Sequence, residues 1–485
     1  MTDPAFQSAS QLAAAIRAKR ISSRELLALY LRRVERFNQQ LNAIVTLDAE
    51  RAFTRADAAD AALARGESWG PLHGVPITIK DSFETAGLRT TSGAPVLAGH
   101  VPKTDATAVQ RLVAAGAIVF GKTNLPMFAM DLQSYNPVFG ITHNPWDITR
   151  SPGGSSGGAA AALAAGLTGL ELGSDIGGSI RGPAHFCGVY GHKPSHGIVP
   201  LRGHIPGPPG SLTEFDISVA GPMARSADDL GLALDVLAGP AADRATAWRL
   251  QLPPARHDSL RGFRVAAWLD DPVCAVDSEV RACHQTLVRA LREAGAVVNE
   301  QARPAFGLAE AQRVYLQLLY ATTSLGLPRE QWLSLAQFAD RLPPDADDAK
   351  SRFARGATLR HRDWLSAHER REHMRAEWAR LFTDHDVLLC PATPTAAIPH
   401  DLSEPMAQRV IQVSGGPRPY IDQLVWAGVI GMALLPSTVA PAGRTRAGLP
   451  VGIQIVGPYL EDRTTIRFAQ LLAEAIGGFV RPPDF

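Results

Sequence analysis

Two serines set among glycines stand 24 residues apart in this chain, Ser155 in Ser151-Pro-Gly-Gly-Ser155-Ser-Gly-Gly158 and Ser179 in Gly173-Ser-Asp-Ile-Gly-Gly-Ser179-Ile-Arg181. A serine hydroxyl becomes a useful nucleophile only beside a base that takes its proton. Gly177-Gly178 can adopt backbone angles that other residues avoid, so the turn before Ser179 can aim consecutive N–H groups at one point. Fixed donors of that kind stabilise the charge that develops on a carbonyl oxygen under attack. The histidines offer no partner by sequence, which leaves lysine. Lys80 closes the apolar run Val75-Pro-Ile-Thr-Ile79 and precedes Asp81, a placement expected at a sheet edge rather than on a solvated helix. A solvated lysine keeps its pKa near about 10.4 and is useless as a base at neutral pH. Burial among apolar groups would lower it. Taken singly, a glycine-rich turn or a lysine at a strand end is more simply structural.

Three other patterns invite chemistry and are set aside. Gly116-Ala-Ile-Val-Phe-Gly121-Lys122-Thr123 satisfies the phosphate-loop spelling. Such a loop must present N–H groups at a helix start, whereas these residues read as a buried strand, and Pro126 follows closely. His368-Glu369-Arg-Arg-Glu372-His373 resembles a zinc-protease helix, but its histidines are five apart instead of four and point to different faces. Gly153-Gly-Ser155-Ser-Gly157 fits the nucleophile elbow of α/β-hydrolases, a rival that would make Ser155 the nucleophile of an esterase. An elbow needs a strand just before the serine, and Asn144-Pro-Trp-Asp-Ile-Thr-Arg-Ser-Pro152 has no β run.

Composition narrows the field further. Across 485 residues, 48 Lys and Arg face 47 Asp and Glu, a net charge of +1 that argues against a nucleic-acid binder built on a basic face. With 46% hydrophobic and 20% charged residues the chain can bury a large core. Cys187, Cys274, Cys283 and Cys390 form no CxxC pair and read as reduced thiols, with neither a disulfide framework nor a metal site expected. The opening from Met1 lacks a basic segment leading into an apolar one, so the cytoplasm is the expected location. The charge-free stretches Ser151–Leu170 and Gln423–Gly443 read as buried segments of a soluble protein, and no membrane partner is expected.

The elements that must position these residues follow from periodicity. Ser22-Ser-Arg-Glu25 is a capping box, after which Leu26, Leu27, Tyr30, Leu31, Val34 and Phe37 recur at helical spacing, and residues 1–70 read as a helical N-terminal region. From Pro71 short β-rich runs alternate with helical ones: Val75–Ile79, a helix from Asp105 to Ala115, Ala117–Phe120 and Leu170–Leu172. A small-residue helix runs from Ser155 to Gly166, Ser226 caps another, and Phe263–Trp268 is a further strand. Residues 260–386 read as a mostly helical insertion, and Val387–Cys390 and Val451–Val456 return the chain to the sheet over 387–485. The predicted fold is one α/β domain over 1–485: an α/β/α sandwich with an open mixed sheet covered by helices, with its core at 71–240.

Gly74-Val-Pro-Ile-Thr-Ile-Lys80-Asp81, Gly121-Lys-Thr-Asn124, Asn144-Pro-Trp146, the two serine motifs and Gly448-Leu-Pro-Val-Gly-Ile-Gln-Ile-Val-Gly457 together resemble the amidase signature family. The resemblance runs continuously over about Pro71–Leu237 and resumes at the C-terminal motif, with nothing matched over 260–386. It implies a serine, cis-serine and lysine triad on Ser179, Ser155 and Lys80: Ser179 attacks a carbonyl, Ser155 relays the proton and Lys80 is the base. It further implies an oxyanion hole from the amides of Ile176, Gly177, Gly178 and Ser179, with Asp175 and Arg181 shaping the turn and Ser174 positioning Lys80. Neither metal nor cofactor is required, and homodimers are common in the family. The implied activity is amide hydrolysis through an acyl-enzyme on a small-molecule amide.

Two departures bear on substrate. Many members carry an acidic residue after Gly-Lys-Thr-Asn, whereas this chain has Leu125-Pro-Met127-Phe128-Ala-Met130; Met127, Phe128, Met130 and Tyr135 suggest an apolar pocket for an aryl or alkyl acyl amide, anilide or carbamate. Each of the four, taken singly, is more simply a core residue. Where the branch that supplies ammonia to misacylated transfer RNA reads Gly-Leu-Lys-Pro and then Arg-Tyr-Gly, this chain has Gly191-His-Lys-Pro194 and Leu201-Arg-Gly-His-Ile-Pro-Gly207. A stand-alone amidohydrolase is therefore the leading reading, and a partner-dependent amidotransferase component the alternative.

Overall fold

The computed structural model describes residues 3–485; Met1 and Thr2, the start of the expected helical region, lie outside the described residues. Eleven strands form one mixed sheet: β1 (Ile44–Leu47), β2 (Pro76–Lys80), β3 (Ile118–Thr123), β4 (Glu171–Asp175), β5 (Tyr190–Lys193), β6 (Val219–Ala224), β7 (Arg264–Ala267), β8 (Val297–Asn299), β9 (Val387–Pro391), β10 (Ser437–Arg444) and β11 (Pro450–Val456). Their spatial order is β1-β3-β2-β4-β6-β5-β10-β11-β9-β7-β8. The central strands pair antiparallel, while β3-β2-β4 and β9-β7-β8 are parallel. Such parallel pairs need crossover connections, which the helices supply.

Those helices are α1 (Ala9–Arg17), α2 (Ser23–Leu41), α3 (Ala49–Ala64), α4 (Thr107–Ala114), α5 (Gly157–Ala164), α6 (Arg181–Cys187), α7 (Ala227–Leu237), α8 (Ser278–Glu293), α9 (Leu308–Thr323), α10 (Arg329–Ala339), α11 (Ala349–Ala357), α12 (His361–Asp384), α13 (Val425–Met432) and α14 (Asp462–Ile476). The Ser22–Glu25 capping box starts α2, and its apolar stripe buries Leu26, Leu27 and Tyr30. With Ile77 and Ile79 of β2, Leu230 and Leu234 of α7 and Phe468 of α14 they form the largest core. Alternation along a strand sends Thr78 and Lys80 to the opposite side of β2 from those isoleucines. There α5 lies close: a Cβ on Gly158 would sit 2.4 Å from the Asn124 backbone nitrogen, so only glycine fits.

Several expectations need correction. Lys80 is not at a sheet edge, because β2 is flanked by β3 and β4. The N-terminal region is not wholly helical, since Ile44–Leu47 forms the edge strand β1 against β3. Residues 260–386 are mostly helical, and β7 and β8 within them join the main sheet. The first strand of the second serine motif is Glu171–Asp175, displaced toward the turn, and α5 begins at Gly157, two residues past Ser155. Among the described residues no helix is long and apolar enough to cross a membrane.

Candidate active site

The C-terminal end of β2 delivers Lys80 beneath the N-terminus of α5 and beside β4, and its whole side chain is buried. Its Nζ lies 2.6 Å from Ser155 Oγ, 2.9 Å from Ser174 Oγ and 3.0 Å from Ser156 Oγ. Burial lowers its pKa to about 7, against the opposing charges of Asp175 and Glu171. Glu171, one strand away, is pushed up to about 8 by burial, even though Thr78 donates a 2.5 Å bond to it. Near neutral pH this lysine is thus within reach of both protonation states, which a base must be.

Ser155 follows a cis peptide bond at Gly154-Ser155. Ser134 braces that turn, its Oγ donating to the Gly153 carbonyl at 3.0 Å and accepting from the Gly157 N–H at 3.0 Å. The Ser156 N–H donates to the Ser179 carbonyl at 3.1 Å, so the two serine motifs are tied backbone to backbone.

Ser179 ends the turn between β4 and α6. Asp175, also buried, accepts from the N–H groups of Gly178 (2.8 Å), Ile180 (3.0 Å) and Arg181 (3.3 Å), and from the Arg181 guanidinium. Burial raises the Asp175 pKa, but Arg181 and these donors outweigh it and hold the carboxyl below its ordinary range. Arg181 reaches on to the Ala427 carbonyl and to Gln454 Oε1. Of the four expected oxyanion donors, the Gly178 amide bonds to Asp175 instead.

A small cleft of about 10 Å³ opens against this turn, lined by Leu132, Gly154, Gly177, Phe186, Thr393 and Gln423 among others, with no charged side chain. The expected apolar pocket does not line it. Met127 and Met130 are 46% and 49% exposed, and Phe128, half-buried, takes a left-handed conformation on a short 3-10 turn. Tyr135 spends its hydroxyl on Asp131 and Arg409. These side chains read as equally apolar in a pocket, a core or a surface turn, and sequence position alone did not separate the three.

Sequence reasoning missed Ser156, Ser134 and Gln454. Ser156 lies inside the quoted motif, but the elbow pattern draws attention to the central serine only. The rivals find little support in the geometry. No strand leads directly into Ser155, and its hydroxyl meets Lys80 rather than a histidine. Lys122 of the phosphate-loop spelling is buried in β3 on the Phe83 carbonyl and Thr90. His368 and His373 on α12 pair separately with Glu372 and Glu369.

The model of the amidase family matches residues 25–466. The glutamyl-tRNA(Gln) amidotransferase subunit from Synechococcus sp. (strain JA-3-3Ab) is 33% identical, covering 96% of this chain and 91% of its own. The protein of the same name from Anaeromyxobacter sp. (strain K) is 34% identical over 97% and 96%. Among solved structures, a bacterial aryl acylamidase of the amidase signature family superposes with a TM-score of 0.81 at 25% identity, covering 97% of this chain and 96% of that one. A chain from a vestigial complex bearing on the origins of an s-triazine catabolic enzyme gives 0.80 at 30% identity, covering 98% and 100%.

Proposed function

The chain belongs to the amidase family, whose enzymes act on carbon–nitrogen bonds, and from that membership we propose that it is a self-sufficient amidohydrolase using Ser179, Ser155 and Lys80. The observation that carries this reading is the 2.6 Å contact between Ser155 Oγ and a wholly buried Lys80. Neutral Lys80 takes the proton of Ser155 as Ser155 takes that of Ser179. The Ser179 oxygen then bonds to the amide carbon, and the carbonyl oxygen becomes an oxyanion held by the amides of Ile176, Gly177 and Ser179. The relay runs backward to protonate the nitrogen, the C–N bond breaks and the amine leaves. Water, losing its proton by the same route, releases the acid and restores Ser179.

The uncharged lining of the cleft supports a neutral acyl group, alkyl or aryl, with the amide, anilide or carbamate linkage at Ser179. Cytoplasmic location and a homodimer belong to this proposal. A second reading, one component of a complex that delivers ammonia, is favoured by the curated relatives, which match over nearly the whole of both chains. Glutamine carries an ammonium and a carboxylate, and no charged lining residue is there to receive them. The deciding experiment measures amine release from an aryl amide by the purified chain alone, beside Ser179→Ala. Turnover lost in the variant supports the hydrolase. Glutamine hydrolysis that appears only with a copurifying second protein would replace it with the alternative.

A further inference from the structure

We propose that Tyr315, on α9 in the stretch that carries no family motif, is a positioning residue that aims the Gly177 amide at the oxyanion. The inference rests on the amidohydrolase reading above and deepens it. Tyr315 is fully buried, and its hydroxyl donates to the Ile176 carbonyl at 3.3 Å. The Ile176 carbonyl and the Gly177 N–H belong to one peptide unit. In a trans peptide these two groups point in opposite directions, so holding the carbonyl toward α9 turns the N–H the other way. Gly177 lines the cleft, and its N–H is one of the three amides still available to an oxyanion.

The ring of Tyr315 has little freedom. A Cβ on Gly428 of α13 would lie 2.5 Å from its Cδ1 and Cε1, and a Cβ on Gly177 would lie 2.7 Å from its oxygen. Glycine at both places lets α9, α13 and the turn approach closely enough for the hydroxyl to reach the carbonyl. Burial raises the phenol pKa well above its usual value, so the hydroxyl stays a donor across the working pH range. A donor held in advance costs no reorganisation when the oxyanion forms, whereas a peptide free to rock would lose alignment.

The test is Tyr315→Phe, which keeps the ring and removes the donor. On an aryl amide, kcat should fall about tenfold with KM within about twofold, since only the transition state uses the aligned amide. Affinity for phenylboronic acid, which forms a tetrahedral adduct on serine, should fall by a similar factor, while affinity for planar benzoate holds. An unchanged kcat overturns the proposal, as does an equal loss of boronate and benzoate binding. Should Tyr315→Phe unfold, Gly428→Ala, which displaces the ring, must show the same boronate-selective loss or the proposal falls. Phosphonate labelling of the wild type separates the two levels. Label on Ser179 with normal turnover by Tyr315→Phe overturns the tyrosine's role alone, and label absent from Ser179 overturns the hydrolase reading and this inference with it.

Discussion

Arg181 closes on Asp175 through two bonds, Nε to Oδ2 at 3.0 Å and Nη2 to Oδ1 at 2.8 Å, with both side chains wholly buried. The turn bearing Ser179 wraps around that carboxylate, which also takes the amides of Gly178 and Ile180. Removing one partner leaves an uncompensated buried charge, worth about 3–5 kcal/mol. Arg181→Met should therefore lower the unfolding free energy by about that amount in a denaturant titration at neutral pH. The native Asp175 pKa lies below its unfolded value, so the wild-type pair stabilises the fold above the ordinary carboxylate range and loses that contribution on acidification. Arg181→Met should lose less stability over the same acidic window, because the pair's contribution is already gone.

The pH dependence of turnover follows from Lys80. Burial places its pKa at about 7, so the neutral, proton-accepting form dominates above that value. On an uncharged substrate kcat/KM should rise through about pH 7 and level off on the alkaline side. Lys80→Met should be inactive throughout. A rate independent of pH from about 6 to about 10 would remove Lys80 from the role of base.

The residues that meet around Lys80 and the two serine turns were legible because each lies in a short motif whose spelling is local: a glycine turn around each serine, and a lysine closing an apolar run. What surrounds them was not. An apolar run reads alike at an edge and in the middle of a sheet, so the flanking of β2 by β3 and β4 was invisible. The four residues of β1 and three of β8 are too short for a period-2 signal to stand out beside long helices. The cleft draws Leu132, Phe186, Thr393 and Gln423 from four separate segments, a conjunction that only the folded chain makes.

Ser156 and Ser174 offer a prediction with an unusual sign. Both hydroxyls accept from Lys80 Nζ, and acceptors stabilise the charged amine. Ser174→Ala and Ser156→Ala should each lower the Lys80 pKa and move the acid limb of the pH–rate profile to lower pH. Each should also reduce the plateau rate, by about tenfold, because the base is held by fewer bonds. A limb that stays in place or moves upward would mean that these serines do not act on the lysine.

Gly154 tests how rigidly the first serine motif is walled. A Cβ there would lie 2.5 Å from the Gln133 backbone nitrogen, 2.6 Å from the Leu132 carbonyl carbon and 2.7 Å from the Asp131 carbonyl oxygen, all of them backbone atoms. That wall cannot easily give. Asp131 is held by Arg409 at 2.7 Å and by the Tyr420 hydroxyl at 2.7 Å, and the Gln133 side chain donates to the Asp401 carbonyl at 2.6 Å. Gly154→Ala must therefore displace Ser155 instead, and a misplacement of about 1 Å costs on the order of a hundredfold in rate. Gly99→Ala, where an added Cβ meets nothing within 4 Å, should keep full activity and the same melting midpoint. If Gly154→Ala turned over as fast as Gly99→Ala, the Asp131–Gln133 segment would have to be mobile, and the Asp131–Arg409 pair could not be what fixes the wall of the site.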